Sequence, residues 1–99
     1  MKVSMPVEAA NAAMRNGSLP KTIQSILADL KPEAAYFCDW DGMRTGFLVF
    51  DMTDVSQIPA VAEPWFLAFN ASVEIHPAMS PADLDKAGPG IENAVRKYT

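Results

Sequence analysis

The chain has 99 residues, of which 49% are hydrophobic, and its formal net charge is −4. This length and composition indicate one globular domain, with a core large enough to be stable without a metal ion or a disulfide. The eight basic residues are scattered along the chain, whereas a surface that binds nucleic acid requires clustered cations, so we expect no nucleic-acid partner.

The cysteine content and the distribution of apolar residues bear on where the protein functions. The single cysteine, Cys38, excludes an intrachain disulfide and any multi-cysteine metal site, and it is typical of a reducing compartment. Pro6, Glu8 and Arg15 interrupt the N-terminal residues, which therefore do not resemble a signal peptide. No segment has the ~20 consecutive apolar residues that cross a bilayer. We expect a cytoplasmic protein without a membrane partner.

The N-terminal third predicts one strand and two helices. Residues 2–7 alternate between polar and apolar side chains, which predicts a strand. Residues 8–16 are rich in alanine and predict a helix that ends at Gly17. The segment after Pro20 predicts a second helix, because proline suits the first turn and the apolar residues that follow recur at helical spacing.

A β-hairpin is the strongest prediction of the middle third. Runs of aromatic and β-branched residues at 34–40 and 45–52 flank Asp41-Gly42. Asp-Gly between such runs favours a two-residue type I′ turn, in which both central residues have positive φ. With this loop length Asp39 lies opposite Arg44, and the opposite charges support that register.

The last third predicts a helix, a strand and a broken terminal helix. Residues 56–69 predict a helix that Pro64 kinks or divides, and residues 71–77 predict the fourth strand. Ser80 is a good N-cap for a following helix, because its hydroxyl accepts a hydrogen bond from the first turn. Gly88-Pro89-Gly90 breaks this helix, which then restarts.

The order of the elements, β-α-β-β-α-β followed by a C-terminal helix, predicts an α+β protein with a ferredoxin-like fold. In this fold a four-stranded antiparallel sheet carries helices on one face, and the first strand lies between the third and the fourth. No repeat or shift in composition divides the chain, so residues 1–99 are expected to form a single ferredoxin-like domain.

Alternation along the predicted strands assigns each side chain to one face of the sheet. One set is apolar and is expected beneath the helices: Val3, Met5, Val7, Ala35, Phe37, Gly46, Leu48, Phe50, Met52, Val73 and Ile75. The other set is expected on the uncovered face: Lys2, Ser4, Tyr36, Cys38, Trp40, Met43, Thr45, Phe47, Val49, Asp51, Glu74 and His76. This second set is too aromatic to face water, so we expect a second copy, the terminal helix or a ligand to cover it.

A small chain with this element order and an apolar uncovered face resembles the dimeric α/β-barrel superfamily. Muconolactone isomerase and the antibiotic-biosynthesis monooxygenases are members, and two sheets pack face to face in this architecture. The run EPWFLAFNASVEIHPAMSPADL also resembles small bacterial proteins of this architecture that have no assigned activity. The resemblance implies the fold and a homodimer. It implies no reaction, because no catalytic motif of a named enzyme family matches the sequence.

His76 and Glu74 are the candidate catalytic residues. They are two apart in the predicted fourth strand and therefore share its uncovered side. An imidazole that titrates near neutrality acts as a general acid–base, and a neighbouring carboxylate would orient it. The other interpretation of His76 is a hydrogen-bonded interface histidine next to Pro77, and the other interpretation of Glu74 is a cross-strand ion pair with Lys2. If the dimer leaves a cavity, we expect its ligand to contact His76, Glu74, Ser4, Tyr36 and Trp40.

Other reactive or aromatic residues support no site by themselves. Cys38 lies at the opposite edge of the predicted sheet from His76, so we interpret it as a small buried hydrophobe and not as a nucleophile. His76, Glu74 and Asp51 do not supply the ligands that zinc prefers, and no metal or other cofactor is predicted. Helical spacing indicates core or interface packing for Trp65, Phe66 and Phe69.

These residues lead to one hypothesis and two alternatives. The leading hypothesis is a homodimer that binds a small apolar or aromatic metabolite in a cavity on the uncovered face. One alternative is a cofactor-free isomerase or monooxygenase in which His76 is the acid–base, with Glu74 and Tyr36 nearby. The other is a structural dimer whose interface leaves no pocket. The volume of the cavity between the two copies distinguishes them.

Overall fold

The computed structural model describes residues 1–99, which form four strands, five α-helices and one short 3-10 helix. In chain order the elements are β1 (Lys2–Met5), α1 (Val7–Arg15), α2 (Ser18–Leu30), β2 (Ala34–Trp40), β3 (Met43–Val49), the 3-10 helix (Val55–Gln57), α3 (Ile58–Phe69), β4 (Ser72–Glu74), α4 (Pro81–Lys86) and α5 (Gly88–Tyr98). Two helices therefore connect β1 to β2, α3 connects β3 to β4, and two helices follow β4. No helix is long and apolar enough to cross a bilayer.

The four strands form one antiparallel sheet in the order β2-β3-β1-β4. The first strand lies between the third and the fourth, as the ferredoxin-like arrangement requires. The predicted fold class, an α+β protein with a ferredoxin-like sheet and a C-terminal helical extension, is confirmed. The two edges of the sheet are β2 and β4, and this separation determines which candidate residues one chain brings together.

The β2–β3 hairpin has the turn and the register that the sequence predicted. Asp41 and Gly42 have φ values of 53° and 76°, so both central residues of the turn are left-handed, as type I′ requires. Asp39 pairs with Arg44 across the strands. The Arg44 guanidinium also donates a hydrogen bond to Asn11 Oδ1 at 2.9 Å, which joins the hairpin to α1.

The core lies between the sheet and helices α1, α2 and α3. Its largest members are Trp65 and Phe69 of α3, which are almost completely buried and whose ring centroids are 6.1 Å apart. They belong to one cluster with Val3 and Met5 of β1 and Leu48 of β3, on the face that the alternation assigned to the helices. The opposite face of the sheet has no helix on it.

The first strand is shorter than predicted. It ends at Met5, and Val7 begins α1 with its side chain 47% exposed, so the predicted place of Val7 in the core is wrong. Pro6 explains this boundary, because it has no N–H to donate to the sheet. The carbonyl of Pro6 instead accepts a hydrogen bond from the Ala10 N–H at 3.0 Å, which starts the helix.

The fourth strand is also shorter than the predicted range 71–77. It contains only Ser72–Glu74, because β1 offers it pairing partners only from Lys2 to Ser4. Proline at position 77 also disfavours continued pairing, since it lacks an N–H. Ile75 and His76 therefore lie outside the sheet.

Helix α3 continues through Pro64, so the predicted division of this helix does not occur. Pro64 removes one helical hydrogen bond, and local preference alone would end the helix near this position. The next residue, Trp65, and Phe69 one turn later are both buried in the core. Tertiary packing therefore holds the second half of α3 in place against the local cost.

Helices α4 and α5, together called the C-terminal arm, extend away from the sheet. The molecule measures 59 × 27 × 20 Å and its radius of gyration is 17.4 Å, whereas a compact chain of this length has about 13 Å. No residue of either helix is buried. The Ser80 hydroxyl accepts a hydrogen bond from the Asp83 N–H, which confirms the predicted cap. The break between the two helices falls at Ala87 and not at the predicted Gly88-Pro89-Gly90, which instead form the first turn of α5.

Candidate functional site

The open face is the side of the sheet opposite the helices. Residues that pair across neighbouring strands project to the same side of a sheet, so the register defines its members. Phe47 pairs with Tyr36 on β2 and with Lys2 on β1, and Lys2 pairs with Glu74 on β4. By the same rule the open face contains Lys2, Ser4, Ala34, Tyr36, Cys38, Trp40, Met43, Thr45, Phe47, Val49, Ser72 and Glu74.

Three of these side chains, one each from β1, β2 and β3, form a cluster on the open face. The Trp40 and Phe47 rings meet edge to face, with centroids 5.6 Å apart and planes at 76°. The Lys2 Nζ lies 5.2 Å from the centroid of the Trp40 ring. Edge-to-face aromatic pairs and cation–π contacts each contribute about 0.5–1.5 kcal/mol, so this cluster holds its rings in a defined orientation.

Much of the open face is exposed to solvent in a single chain. Tyr36 is 71% exposed, and Trp40 and Val49 are each 50% exposed. The C-terminal arm does not cover them, since its own apolar side chains are also half-exposed or more. Exposed apolar surface is common at interaction and ligand-binding sites of proteins.

The open face is apolar at one edge and polar at the other. The β2 edge presents Tyr36, Cys38 and Trp40, whereas the β4 edge presents Ser72 and Glu74. The sequence predicted Cys38 to be buried, but it is exposed, because β2 is an edge strand whose open side nothing covers.

The structure brings some of the candidate residues together and separates others. Ser4 and Glu74 lie on adjacent strands of the open face, with Lys2 beside Glu74 in register. Tyr36 and Trp40 lie on the opposite edge. His76 is exposed and follows β4 by two residues, so the alternation that paired it with Glu74 does not extend to its side chain.

The acidic side chains, His76 and Cys38 are dispersed along the chain. No group of three or more histidine, cysteine or acidic side chains is arranged to hold a metal ion. One carboxylate, Asp54, has a lowered pKa; it is fully exposed and lies just before the 3-10 helix. A hydrogen bond from the Ser56 backbone N–H at 2.8 Å lowers the pKa of Asp54, and this is the effect of an N-cap.

Sequence reasoning missed two cavities on the helix side of the sheet. One, of about 800 Å³, is a groove between α2 and α3 with Ile26, Leu30, Val61 and Leu67 among its lining residues. The other, of about 670 Å³, lies between the α1–α2 pair and the hairpin, with Met5, Ile23, Phe37 and Arg44 among its lining residues. Both depend on how helices sit relative to the sheet. The sequence does not indicate the distance between the helices and the sheet. Its one relevant feature is the apolar Phe37, which lies on an edge strand.

Comparison with protein-family models, curated proteins and solved structures finds no significant match to this chain. The class that the structure defines is a small α+β protein with a ferredoxin-like four-stranded antiparallel sheet.

Proposed function

We propose that this protein is a homodimer that binds a small apolar or aromatic metabolite between the open faces of its two copies. The observation that carries the proposal is the exposed aromatic surface of the open face, led by Tyr36 and Trp40. This arrangement would place the chain among the dimeric α/β-barrel proteins, which it resembles in element order and in the polarity of its faces.

A second copy is the simplest cover for the open face. In a two-fold dimer the same surface serves both partners, so the open face of one copy can pack on the open face of the other. Two faces of this size would bury more than ~1,000 Å², the range of specific interfaces. The edge-to-face pair of Trp40 and Phe47 supports this use, because preorganised aromatic side chains are the usual anchors of interfaces.

A dimer would also assemble the candidate ligand residues. Within one chain Tyr36 and Glu74 lie in register on opposite edge strands, about 14 Å apart at the usual strand spacing. A two-fold axis that runs parallel to the strands between facing sheets sets the β4 edge of one copy over the β2 edge of the other. Glu74 of one copy then faces Tyr36 of its partner, because the two residues share one row of the register, while Trp40 lies further along β2 and Ser4 lies towards the middle of the sheet.

Such a cavity has the composition of a small-molecule site, with apolar and aromatic walls and a few polar groups that orient the ligand. The Trp40 ring offers a surface for stacking, while Lys2, Ser4 and Glu74 offer polar contacts. We include His76 as a contact at the rim, because it follows Glu74 on the same edge of the sheet. A catalytic role for His76 has no supporting observation, since no strand pairing orients its ring.

Trp40→Ala tests the proposal. Because the Trp40 ring is half exposed and packs on Phe47 in the open face, we expect the substitution to raise the dimer dissociation constant by about tenfold or more. It should also remove the thermal stabilisation that a screen of aromatic metabolites produces in the unsubstituted protein. The matched control is Leu67→Ala, which removes a side chain that is 80% exposed on α3 and so belongs to the helix side of the molecule.

Two results would contradict the proposal. If the unsubstituted protein sediments as a monomer at micromolar concentration, the open face is not a dimer interface. If it is a dimer but no metabolite stabilises it, the interface is closed and the protein is a structural dimer without a pocket.

A further inference from the structure

We propose that the cavity between the α1–α2 pair and the β2–β3 hairpin, here called the hairpin cavity, binds a small monocarboxylic acid with an apolar body. Arg44 binds the carboxylate, and apolar side chains of α2 and of the sheet contact the rest of the ligand. This site is separate from the open face, so the inference does not depend on the proposed dimer.

The hairpin cavity contains one cation. Arg44 is the only basic residue that lines it. Arg44 pairs with Met5 on β1 and with Asp39 on β2, and residues in one row of the register project to the same side of the sheet. Met5 is 2% exposed and belongs to the core, so this row faces the helices. Arg44 is itself partly buried, and its charge is therefore less hydrated than that of a fully exposed arginine.

The Arg44 guanidinium is oriented but not neutralised within the chain. Its Nη1 atom donates a hydrogen bond to Asn11 Oδ1 at 2.9 Å, and this amide oxygen carries no net charge. Arg44 forms no ion pair with Asp39, although the two residues lie opposite each other in the hairpin. The donors on Nε and Nη2 remain, and they form the planar fork that binds a carboxylate in a bidentate manner.

The other walls of the hairpin cavity are mainly apolar. Leu19 and Ile23 line it from α2, and Met5 and Phe37 line it from the sheet. The Phe37 ring lies over the backbone of β3, where a Cβ added to Gly46 would be 2.9 Å from a ring carbon. Glycine at this position therefore makes room for the ring, which is 46% exposed because β2 is an edge strand.

The volume and the charges of the cavity define the class of ligand. Its volume of about 670 Å³ is within the range of small-molecule sites, ~300–1,000 Å³. A purely apolar ligand would displace water from the guanidinium without replacing its hydrogen bonds, which is costly, whereas a monocarboxylate replaces them and balances the charge. Asp39 is the only acidic residue at the cavity, and its charge is exposed to solvent and screened by salt over ~8 Å. Its repulsion of the ligand is therefore weaker than the attraction by Arg44.

Methyl NMR of the full-length protein, labelled at its methionines, tests the position and the charge of the site. Octanoate is the probe, and octanamide is the uncharged control of similar shape. Met5 lines the hairpin cavity, whereas Met52 lines the groove between α2 and α3. We expect octanoate to shift the Met5 signal with little effect on Met52, and octanamide to bind at least tenfold more weakly.

Two variants identify the group that binds the carboxylate. Arg44→Gln removes the charge but keeps an amide that can donate to Asn11, and we expect its dissociation constant for octanoate to rise about tenfold or more. Its affinity for octanamide should change little. Asp39→Asn is the matched control in the same row of the register. It removes the negative charge, so octanoate should bind this variant at least as tightly as the unsubstituted protein.

Several results would overturn the inference. Equal affinities of the unsubstituted protein for octanoate and octanamide would do so even if Arg44→Gln did not fold. A shift of Met43, which lies on the open face, without a shift of Met5 would place the probe outside the hairpin cavity. Unchanged binding of octanoate by Arg44→Gln, weaker binding by Asp39→Asn, or no shift at millimolar octanoate would also overturn it. None of these results bears on the proposed dimer, which sedimentation measures separately.

Discussion

Gly42→Ala measures how much the hairpin turn depends on backbone conformation alone. Gly42 has φ of 76°, and a Cβ added there would meet no atom within 4 Å. The cost of the substitution is therefore that of holding alanine in the left-handed region, about 1–2 kcal/mol. Each kcal/mol lowers the melting temperature of a domain of this size by about 4–8 °C. Gly42→Val should lower the melting temperature further than Gly42→Ala, because a β-branched residue is least compatible with positive φ.

The matched control is Gly88→Ala. A Cβ at Gly88 would also meet no atom within 4 Å, but Gly88 does not have positive φ and begins a helix, where alanine is favoured. Urea unfolding of the two variants compares their free energies of unfolding, and unchanged m-values would show that the same surface is exposed in each. Equal midpoints for Gly42→Ala and Gly88→Ala would refute the reasoning, since backbone conformation is the main difference between the two sites.

Four further outcomes follow from the structure. Trp65→Ala should lower the free energy of unfolding by about 3–5 kcal/mol in urea, because the ring is completely buried. Ser80→Ala should reduce the helical signal in far-ultraviolet circular dichroism, because the loss of an N-cap costs a helix about 1 kcal/mol. The pKa of Asp54 is lowered in the folded state, so its contribution to stability is present above its unfolded pKa and is lost as the pH falls through the folded pKa. In Asp54→Asn the free energy of unfolding should therefore decrease less steeply as the pH is lowered through this range. His76→Ala should weaken, without abolishing, stabilisation by metabolites that bind the open face, and equal thermal shifts in both proteins would remove His76 from the site.

The elements that sequence reasoning predicted best are those with strong local signals. Asp41-Gly42 determines a turn through the φ values of two residues, and the turn then determines the pairing of every residue in the hairpin. Ser80 likewise caps α4 through contacts three residues away. In both cases the interactions that decide the structure lie within a few positions of the residues that signal it.

The boundaries that were wrong depend on residues distant in the chain. The fourth strand ends at Glu74 because its neighbour β1 pairs only from Lys2 to Ser4. Helix α3 passes through Pro64 because Trp65 is held in a core built by other elements. A local reading of the sequence contains neither the length of a partner strand nor the packing of a core. The two helix-side cavities and the outward direction of the arm were missed for the same reason.

The open face shows which positions the alternation of side chains along a strand can assign and which it cannot. Alternation placed Tyr36 and Trp40 with Ser4 and Glu74 on one side of the sheet, and the observed register agrees at each of these positions. The same reasoning included His76, which lies past the last paired residue, where side-chain direction no longer alternates. Alternation assigns a residue to one face of the sheet, but it does not say where on that face the residue lies. The strand order determines this, and it separates an apolar β2 edge from a polar β4 edge. That asymmetry has a physical consequence. In the proposed dimer, an axis parallel to the strands would bring unlike edges together, so that the aromatic β2 edge of each copy faces the Glu74 edge of its partner.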